Sequence, residues 1–218
     1  MITIKNLMFA YEAGVPILDG VDLTFLTNKI TIVLGKNGSG KTTLFHLIAG
    51  ILSPDFGTIS SDSELIFIPD QPILYDYLTG YEYLEYVKIL SKHRLEDQII
   101  DLVHVFDMKS HLSKFIHEMS LGMKHKLALL SAMLLNYHTY LIDEPLTALD
   151  PPSQKELIAL LKMLNKQEKT LIISTHMTHI AYQLADEVVI IKDKGVYHLK
   201  NDYEDYQTFE DAVIKHLE

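Results

Sequence analysis

The sequence of 218 residues contains no cysteine, which excludes a disulfide framework, thiol catalysis and cysteine-based zinc sites. Long apolar runs are missing as well. The longest extends only from Leu127 to Leu135 and includes Ser131, whereas a membrane-spanning helix needs about 20 apolar residues. The alternating start Met1–Leu7 has no basic segment before an apolar run, so we expect no secretory signal. We therefore expect a cytosolic chain whose membrane-spanning segments, if it uses any, belong to a partner.

Basic residues are few relative to acidic ones. The chain has 19 lysines and arginines and 29 aspartates and glutamates, a net charge of −10. This charge argues against direct binding to the phosphates of nucleic acids, so we expect no nucleic-acid partner. With 48% hydrophobic and 22% charged residues, the chain is neither disordered nor fibrous. Its length predicts one domain, with or without a subdomain.

Short apolar runs alternate with amphipathic patterns, which predicts an α/β fold with a parallel sheet. The predicted buried strands are Ile30–Leu34, Leu65–Ile68, Tyr140–Ile142, Thr170–Ser174 and Glu187–Ile191. The segment 73–134 has helical character instead, which predicts a helical insertion between two parts of the core.

Two apolar patterns predict particular helices. One face of a helix within the insertion is formed by Leu95, Ile99, Leu102, Val103 and Phe106. A second helix begins at Pro151-Pro152, since proline is favoured in the first turn. Its buried face is predicted to consist of Leu157, Leu160, Leu161 and Leu164.

The strongest motif follows the strand Ile30–Leu34. Glycines at positions 35 and 40, followed by Lys41 and Thr42, have the spacing of a P-loop between a strand and a helix. Glycines allow successive backbone N–H groups to face a phosphate, and the helix adds the positive end of its dipole. We expect Lys41 to contact the β- and γ-phosphates and the Thr42 hydroxyl to bind Mg²⁺. The alternative is a glycine-rich turn that only joins strand to helix. The complete predicted cradle is Gly35, Asn37, Gly38, Ser39, Gly40, Lys41, Thr42 and Thr43.

Two carboxylates, Asp143 and Glu144, end the apolar run Tyr140–Ile142. In an α/β sheet that end lies at the crevice beside the P-loop. One of these carboxylates can hold Mg²⁺, directly or through water, and the next can orient an attacking water as general base. Adjacent strand residues point to opposite faces, so the two carboxylates are expected to have separate tasks.

With these residues in place, nearly the whole chain resembles the ATP-binding cassette family. The stretch from Gly35 to Thr43 is similar to its Walker A motif, and that from Tyr140 to Glu144 to its Walker B motif with the catalytic glutamate. Met119–Met123 stands where the family's signature motif stands. Ala148-Leu149-Asp150 is similar to the D-loop, His176 to the switch histidine, and Tyr11 to the aromatic residue that stacks on adenine.

The resemblance implies a single ATPase domain over residues 1–218. Its parts are a P-loop NTPase core (1–72 and 135–218) with an N-terminal antiparallel β-region, and a helical subdomain (about 73–134). Two such domains pair head to tail in the family, with ATP at one Walker A motif covered by the other domain's signature. For this chain that implies ATP and Mg²⁺ as cofactors, with Asp143 as the partner of Mg²⁺ and Glu144 as the base. It further implies Lys41 and His176 as catalytic residues. The contacts to ATP in trans would be Ser120 and Gly122, and the contact across the dimer would be Asp150.

The chain departs from the family pattern at two places. Leu121 stands in the signature where glycine is usual. In the loop after Leu65–Ile68, Asp70 stands where the family has a glutamine that senses magnesium, and Gln71 follows one position later. Either Asp70 reaches Mg²⁺ itself, or a shift of one residue lets Gln71 take that role.

The resemblance further implies an ATPase subunit on the cytoplasmic face of the cell membrane that powers separate membrane-spanning permease subunits. The segment from Pro69 to Leu84 resembles exporter-type members. The crowded tyrosines at positions 75, 77, 81, 83 and 86 are interpreted as a docking surface for the membrane partner, the alternative being core packing together with ordinary surface tyrosines. The alternatives are a soluble ATPase of the same family acting on ribosomes or DNA, and a P-loop kinase, which leaves Met119–Met123 and His176 unexplained.

Overall fold

The structure is a computed structural model that describes residues 1–91, 103, 108–147 and 149–217. The helix predicted from Leu95, Ile99, Leu102 and Phe106 lies outside the described residues, as does Ala148 of the D-loop motif. Val103, the remaining residue of that predicted face, is described and is buried.

Nine strands and six α-helices are formed by the described part of the chain. The strands are β1 (Ile2–Glu12), β2 (Val15–Phe25), β3 (Ile30–Leu34), β4 (Phe56–Ser61), β5 (Leu65–Ile68), β6 (Thr139–Ile142), β7 (Thr170–Thr175), β8 (Glu187–Lys192) and β9 (Gly195–Lys200). The helices are α1 (Lys41–Ile48), α2 (Gly80–Ser91), α3 (Leu121–Leu134), α4 (Pro151–Lys166), α5 (Thr178–Leu184) and α6 (Tyr206–Leu217), and a 3₁₀ turn covers Ile116–Glu118.

The larger sheet has the strand order β5-β6-β7-β3-β8-β9, in which all neighbours are parallel except β8 and β9. Every residue of β3, β6 and β7 is buried, as expected for strands covered on both faces. Because β6, β7 and β3 are adjacent and parallel, their carboxyl ends meet at one edge. That edge carries the P-loop and the carboxylates, so the topology assembles motifs that are distant in the sequence.

The smaller sheet is antiparallel, with the order β2-β1-β4. Its apolar side chains, among them Ile4, Leu18 and Phe25, share one buried cluster with Phe45 of α1 and Leu141 of β6. The strand β1 carries a bulge between Ile4 and Leu7, and Asn6 there has a positive φ of 46°. This sheet therefore covers one face of the larger sheet together with the helix that follows the P-loop.

The described residues between 73 and 134 form helices, turns and one isolated bridge between Thr79 and Phe115. Leu84 of α2 and Leu127 of α3 belong to the same buried cluster as Leu161 of α4 and Ile173 of β7. The helical part thus packs onto the second face of the sheet. These elements confirm the predicted fold class, an α/β core with a mainly parallel sheet, an N-terminal antiparallel sheet and inserted helices.

Across the described ranges, none of the helices combines the length and the hydrophobicity that are required to cross a membrane.

Candidate functional site

The loop between β3 and α1 is curled tightly enough to need its glycines. Gly40 has a φ of 104°, a left-handed conformation that strains any residue with a side chain. A methyl group on Gly35 would lie only 2.3 Å from Oγ of Ser39. The backbone can therefore close upon itself here only because both positions lack a side chain.

The Lys41 side chain lies back over this loop and is almost fully buried. Its ammonium group donates to the carbonyl oxygens of Gly35 at 2.8 Å and Lys36 at 3.3 Å. Oγ of Ser39 is also buried, and it has no hydrogen-bond partner in the described structure. An ammonium group, an unpaired hydroxyl and an uncapped helix start fit a bound phosphate group.

Asp143 lies directly after β6, and its side chain is only 1% exposed. The Thr42 hydroxyl donates to its Oδ2 at 2.6 Å, and the Ser174 hydroxyl donates to its Oδ1. One carboxylate and one hydroxyl at the edge of a phosphate cradle fit Mg²⁺, which is usually held by one or two carboxylates together with substrate phosphates. Thr42 and Asp143 are thus the residues that would hold the ion.

Glu144 brings three predicted site residues together. Its Oε1 lies 3.3 Å from Nζ of Lys41, and its Oε2 lies 3.1 Å from Nδ1 of His176. The Thr147 hydroxyl donates to Oε2 at 2.6 Å. The backbone of Glu144 is left-handed, with a φ of 44°, which turns the chain out of the strand and directs this side chain towards Lys41 while Asp143 remains buried.

The surroundings of Glu144 act on its pKa in two directions. Burial raises the pKa of the carboxyl group because it disfavours the charged form. Hydrogen bonds from Thr147 and His176 and the charge of Lys41 lower the pKa by more, so that it lies below its usual value. Glu144 is therefore a carboxylate at neutral pH, as a proton acceptor must be.

A cleft of about 370 Å³ opens beside these groups. Its lining residues are Tyr11, Ile17, Asn37, Gly38, Gly40, Lys41, Thr42, Thr43, Asp70 and Glu144. The Tyr11 ring is 61% exposed, and its hydroxyl is 3.2 Å from Oγ1 of Thr43. Phe9 supports the ring with an edge-to-face contact at 5.0 Å. An exposed, supported aromatic ring at the mouth of the cleft is able to stack on a planar base.

The loop after β5 places its two candidate residues differently. Asp70 borders the cleft, whereas Gln71 is exposed and is not among the described residues that line it. Oδ1 of Asp70 accepts the backbone N–H of Gln71 at 2.8 Å, which fixes the turn between them. Of the two candidate residues, Asp70 is thus the one that lies beside the cleft.

The signature and D-loop residues line a second cleft, of about 460 Å³, which shares no lining residue with the first. Ser120 is the N-cap of α3, where its Oγ accepts the N–H of Met123 at 3.3 Å. A methyl group on Gly122 would lie 2.7 Å from Cδ2 of Leu149, so this glycine permits the close contact between the two motifs. Leu121, at the position where the family has glycine, lies on the lining and is exposed.

Asp150 lies in the same cleft, beside a basic residue of α3. A hydrogen bond from Ser153 and the nearby charge of Lys126 lower the pKa of Asp150. Nζ of Lys126 is 2.5 Å from Oε2 of Glu156 on α4. This ion pair lines the cleft and joins α3, the helix that begins at the signature motif, to α4, the helix that follows the D-loop.

Sequence reasoning missed three residues that contribute to the site. Ser174 and Thr147 hold the two carboxylates, and Ile17 lines the cleft next to Gly40. Ser174 had a visible signal, because it is a polar residue that directly follows the apolar run 171–173 of a buried strand. Thr147 and Ile17 had none, since their roles depend on contacts that only the folded chain creates.

Comparison with known proteins agrees with this geometry. The family model described as ABC transporter matches residues 18–147. The chain is 32% identical over 203 residues to the uncharacterized ABC transporter ATP-binding protein YxlF of Bacillus subtilis, covering 88% of this chain and 68% of that protein. It is 31% identical over 211 residues to the ABC-type transporter ATP-binding protein EcsA of the same bacterium, covering 90% of this chain and 85% of that protein.

The chain therefore belongs to the ABC transporter family, as one of its ATP-binding ATPase subunits. A solved structure of the ATP-binding subunit of an ABC transporter superimposes with a TM-score of 0.86 at 25% identity, covering 100% of this chain and 99% of the other. The resemblance inferred from the motifs and the predicted ATPase activity are thereby confirmed.

Proposed function

We propose that the chain hydrolyses ATP as one of a head-to-tail pair of ATPase domains and thereby powers transport through separate membrane-spanning subunits. One observation carries the pairing: Ser120, Gly122 and Asp150 line a different cleft from Lys41 and Glu144. A single chain thus presents two incomplete halves of a site. A second domain, facing the first, would place its signature helix start against the phosphates held by Lys41.

The polar residues in and around the first cleft have separate tasks in this proposal. Lys41 and the loop N–H groups bind the β- and γ-phosphates, and Thr42 and Asp143 hold Mg²⁺, which when bound neutralises charge on the phosphates. Glu144 accepts a proton from the attacking water. His176, in contact with Glu144, senses the γ-phosphate.

Tyr11 is assigned to the adenine ring, because its exposed ring borders the cleft and its hydroxyl is hydrogen-bonded to the Thr43 hydroxyl. Asp70 is assigned to the region of Mg²⁺ and the attacking water, where the family has a glutamine. Gln71, which is exposed and does not line the cleft, is assigned no part in the reaction.

The docking site for the membrane partner is assigned to an exposed aromatic surface at the start of the helical part. Tyr75, Tyr77 and Tyr86 border an open apolar cavity of about 610 Å³, and Tyr77 is 88% exposed. The Tyr75 and Tyr86 rings pack edge to face at 5.2 Å. Tyr81 is exposed as well, whereas Tyr83 is partly buried against the core. Rigid aromatic side chains of this kind are favoured interface anchors.

This surface follows directly from the loop that holds Asp70, so a partner bound here would act on the ATP cleft through a short connection. The same segment, from Pro69 to Leu84, is the basis for proposing an exporter rather than an importer. The proposed location follows from the partner: the cytoplasmic face of the cell membrane, held there by contacts and not by a helix of the described chain.

Two measurements test the proposal. The ATPase rate of the purified chain should rise faster than linearly with protein concentration, because each site needs two chains. An ATPase rate that stays strictly proportional to protein concentration over a wide dilution range of monomeric protein would contradict a site shared between two chains. The tagged chain purified from detergent-solubilised membranes should carry a multi-span protein in stoichiometric amount, whereas ribosomal or DNA-bound partners would favour the soluble alternative.

The docking assignment has a matched control. Tyr77→Ser should release the membrane partner but leave the ATPase rate of the isolated chain unchanged. Tyr197→Ser, the same substitution at an exposed tyrosine on β9, should leave the membrane partner bound. Retention of the partner by Tyr77→Ser would place the docking site elsewhere.

A further inference from the structure

A serine that belongs to none of the recognised motifs joins the two carboxylates of the site. Ser174 lies in β7 and is fully buried, at 0% exposure. Its Oγ accepts the backbone N–H of Glu144 at 2.9 Å. The same hydroxyl donates a hydrogen bond to Oδ1 of Asp143. Two adjacent residues with different tasks are thus held by one hydroxyl group on the neighbouring strand.

The strand geometry explains why this position is suited to that role. β7 lies between β6 and β3, so it adjoins both the carboxylates and the P-loop strand. Leu141 and Ile172 lie in the cluster on the α1 face of the sheet. By the two-residue period of strands, Asp143 and Ser174 share that face. Asp143 is therefore flanked by Ser174 on one oxygen and by Thr42 of α1 on the other.

The directions of the hydrogen bonds leave little freedom. A backbone N–H can only donate, so Ser174 must accept from Glu144, and its single proton is available for Asp143. Each oxygen of Asp143 then has one hydroxyl donor. The Glu144 backbone is left-handed at a φ of 44°, a conformation that persists only when its surroundings impose it. The bond to Ser174 is one such constraint.

We propose that Ser174 is a positioning residue for ATP hydrolysis: it orients Asp143 towards the Mg²⁺ site and holds the left-handed turn that directs Glu144 at Lys41 and His176. The inference rests on the proposed function, because it assigns Ser174 a role towards the ion and the base named there. Ser174 itself is fully buried and is not among the described residues that line the cleft. It connects the position of the ion to the position of the base, so that both depend on one side chain.

Four variants test the proposal. Ser174→Ala removes the hydroxyl. Ser174→Cys keeps the volume but replaces the hydroxyl with a weak donor, and Ser174→Thr keeps the hydroxyl. Ser131→Ala is the matched control, since Ser131 is also a buried serine but donates to the carbonyl of Ala128 and touches neither carboxylate. Melting temperatures of all four are recorded, so that loss of folded protein is separated from loss of function.

We expect Ser174→Ala and Ser174→Cys to lower kcat by about 10- to 100-fold and to raise the Mg²⁺ concentration for half-maximal rate, with the KM for ATP little changed. Ser174→Thr should recover most of the loss, and Ser131→Ala should behave as wild type. Wild-type kcat and Mg²⁺ requirement in Ser174→Cys would overturn the proposal, as would a loss of kcat matched by Ser131→Ala.

A binding measurement separates this proposal from the proposed function. In a Glu144→Gln background, which removes turnover from the comparison, Mg²⁺ should tighten ATP binding less when Ser174 is alanine, while ATP binding without Mg²⁺ stays the same. If wild type fails to hydrolyse ATP, the proposed function fails, and this titration still decides the role of Ser174. If Mg²⁺ tightens ATP binding equally in Glu144→Gln and in the double variant that adds Ser174→Ala, the proposed role of Ser174 is refuted.

Discussion

Nζ of Lys41 lies 3.3 Å from Oε1 of Glu144, and both side chains are largely buried. The residue assigned to the phosphates and the residue assigned to the water are therefore in direct electrostatic contact. The lysine charge is shared among this carboxylate and two loop carbonyls. Phosphate groups that draw on the same ammonium group would loosen its hold on Glu144, so nucleotide binding and the basicity of Glu144 are coupled.

The first prediction concerns Glu144→Gln. The amide keeps the shape of the side chain but cannot accept the proton, so hydrolysis should fall by at least about 100-fold while ATP binding remains. ATP should then accumulate in a closed dimer, visible by sedimentation. Lys41→Ala serves as the contrast, because it should lose binding as well as turnover. Monomeric Glu144→Gln with normal hydrolysis would show that another residue is the base.

The second prediction concerns pH. Because the folded-state pKa of Glu144 is lowered, its ionised form stabilises the fold at pH values above the ordinary glutamate pKa. That stabilisation should disappear as the pH falls through the lowered value. The melting temperature of wild type minus that of Glu144→Gln, measured from neutral pH downwards, should therefore decrease in acid. A difference that stays constant or grows would contradict the assigned contacts.

The third prediction concerns the loop after β5. Since Asp70 borders the cleft and Gln71 does not, Asp70→Asn should slow hydrolysis by about 100-fold and change the Mg²⁺ requirement, whereas Gln71→Ala should do little. Both variants should still bind ATP, because neither residue belongs to the P-loop. Turnover at saturating ATP, titrated with Mg²⁺, is the measurement. A slow Gln71→Ala variant beside a normal Asp70→Asn variant would mean that the loop is shifted by one residue and that Gln71 takes the role. Wild-type rates in both variants would mean that the loop serves only to dock the partner.

The fourth prediction concerns the contact between the signature motif and the D-loop. Gly122→Ala places a methyl group 2.7 Å from Cδ2 of Leu149, so the Leu149 side chain must shift out of its contact with the signature motif and the ATPase rate should fall. Adding Leu149→Ala should restore part of the rate by making room. Gly195→Ala is the control, since the nearest atom to its added carbon is 3.7 Å away. No loss in Gly122→Ala would show that this contact is irrelevant to the trans site.

Much of the core could be predicted from local sequence. The strands Ile30–Leu34 and Leu65–Ile68 have the predicted bounds, and β6, β7 and β8 differ by a single residue each. Short runs of β-branched and aliphatic residues mark strands buried on both faces, because no solvent-facing residue interrupts them. The P-loop is equally local, since its glycines and lysine act on one another within a few positions.

The remaining parts of the site depend on contacts that only the folded chain creates. Ser174 and Thr147 become partners of Asp143 and Glu144 only through the sheet order and the left-handed turn at position 144. Which of Asp70 and Gln71 borders the cleft likewise depends on how the folded loop directs its side chains. Neither pattern nor composition contains that information.

The place of β3 between β7 and β8 has a consequence for the synthesis of the chain. Ile30 pairs with Leu171, and Thr31 with Glu187, so the strand that carries the P-loop has neither neighbour until most of the protein has left the ribosome. Contacts so distant in sequence form late and slowly. A nascent chain that ends before β7 therefore contains the entire glycine-rich loop but neither of the two strands that flank β3. The phosphate cradle is one of the first motifs to be translated and one of the last to be assembled.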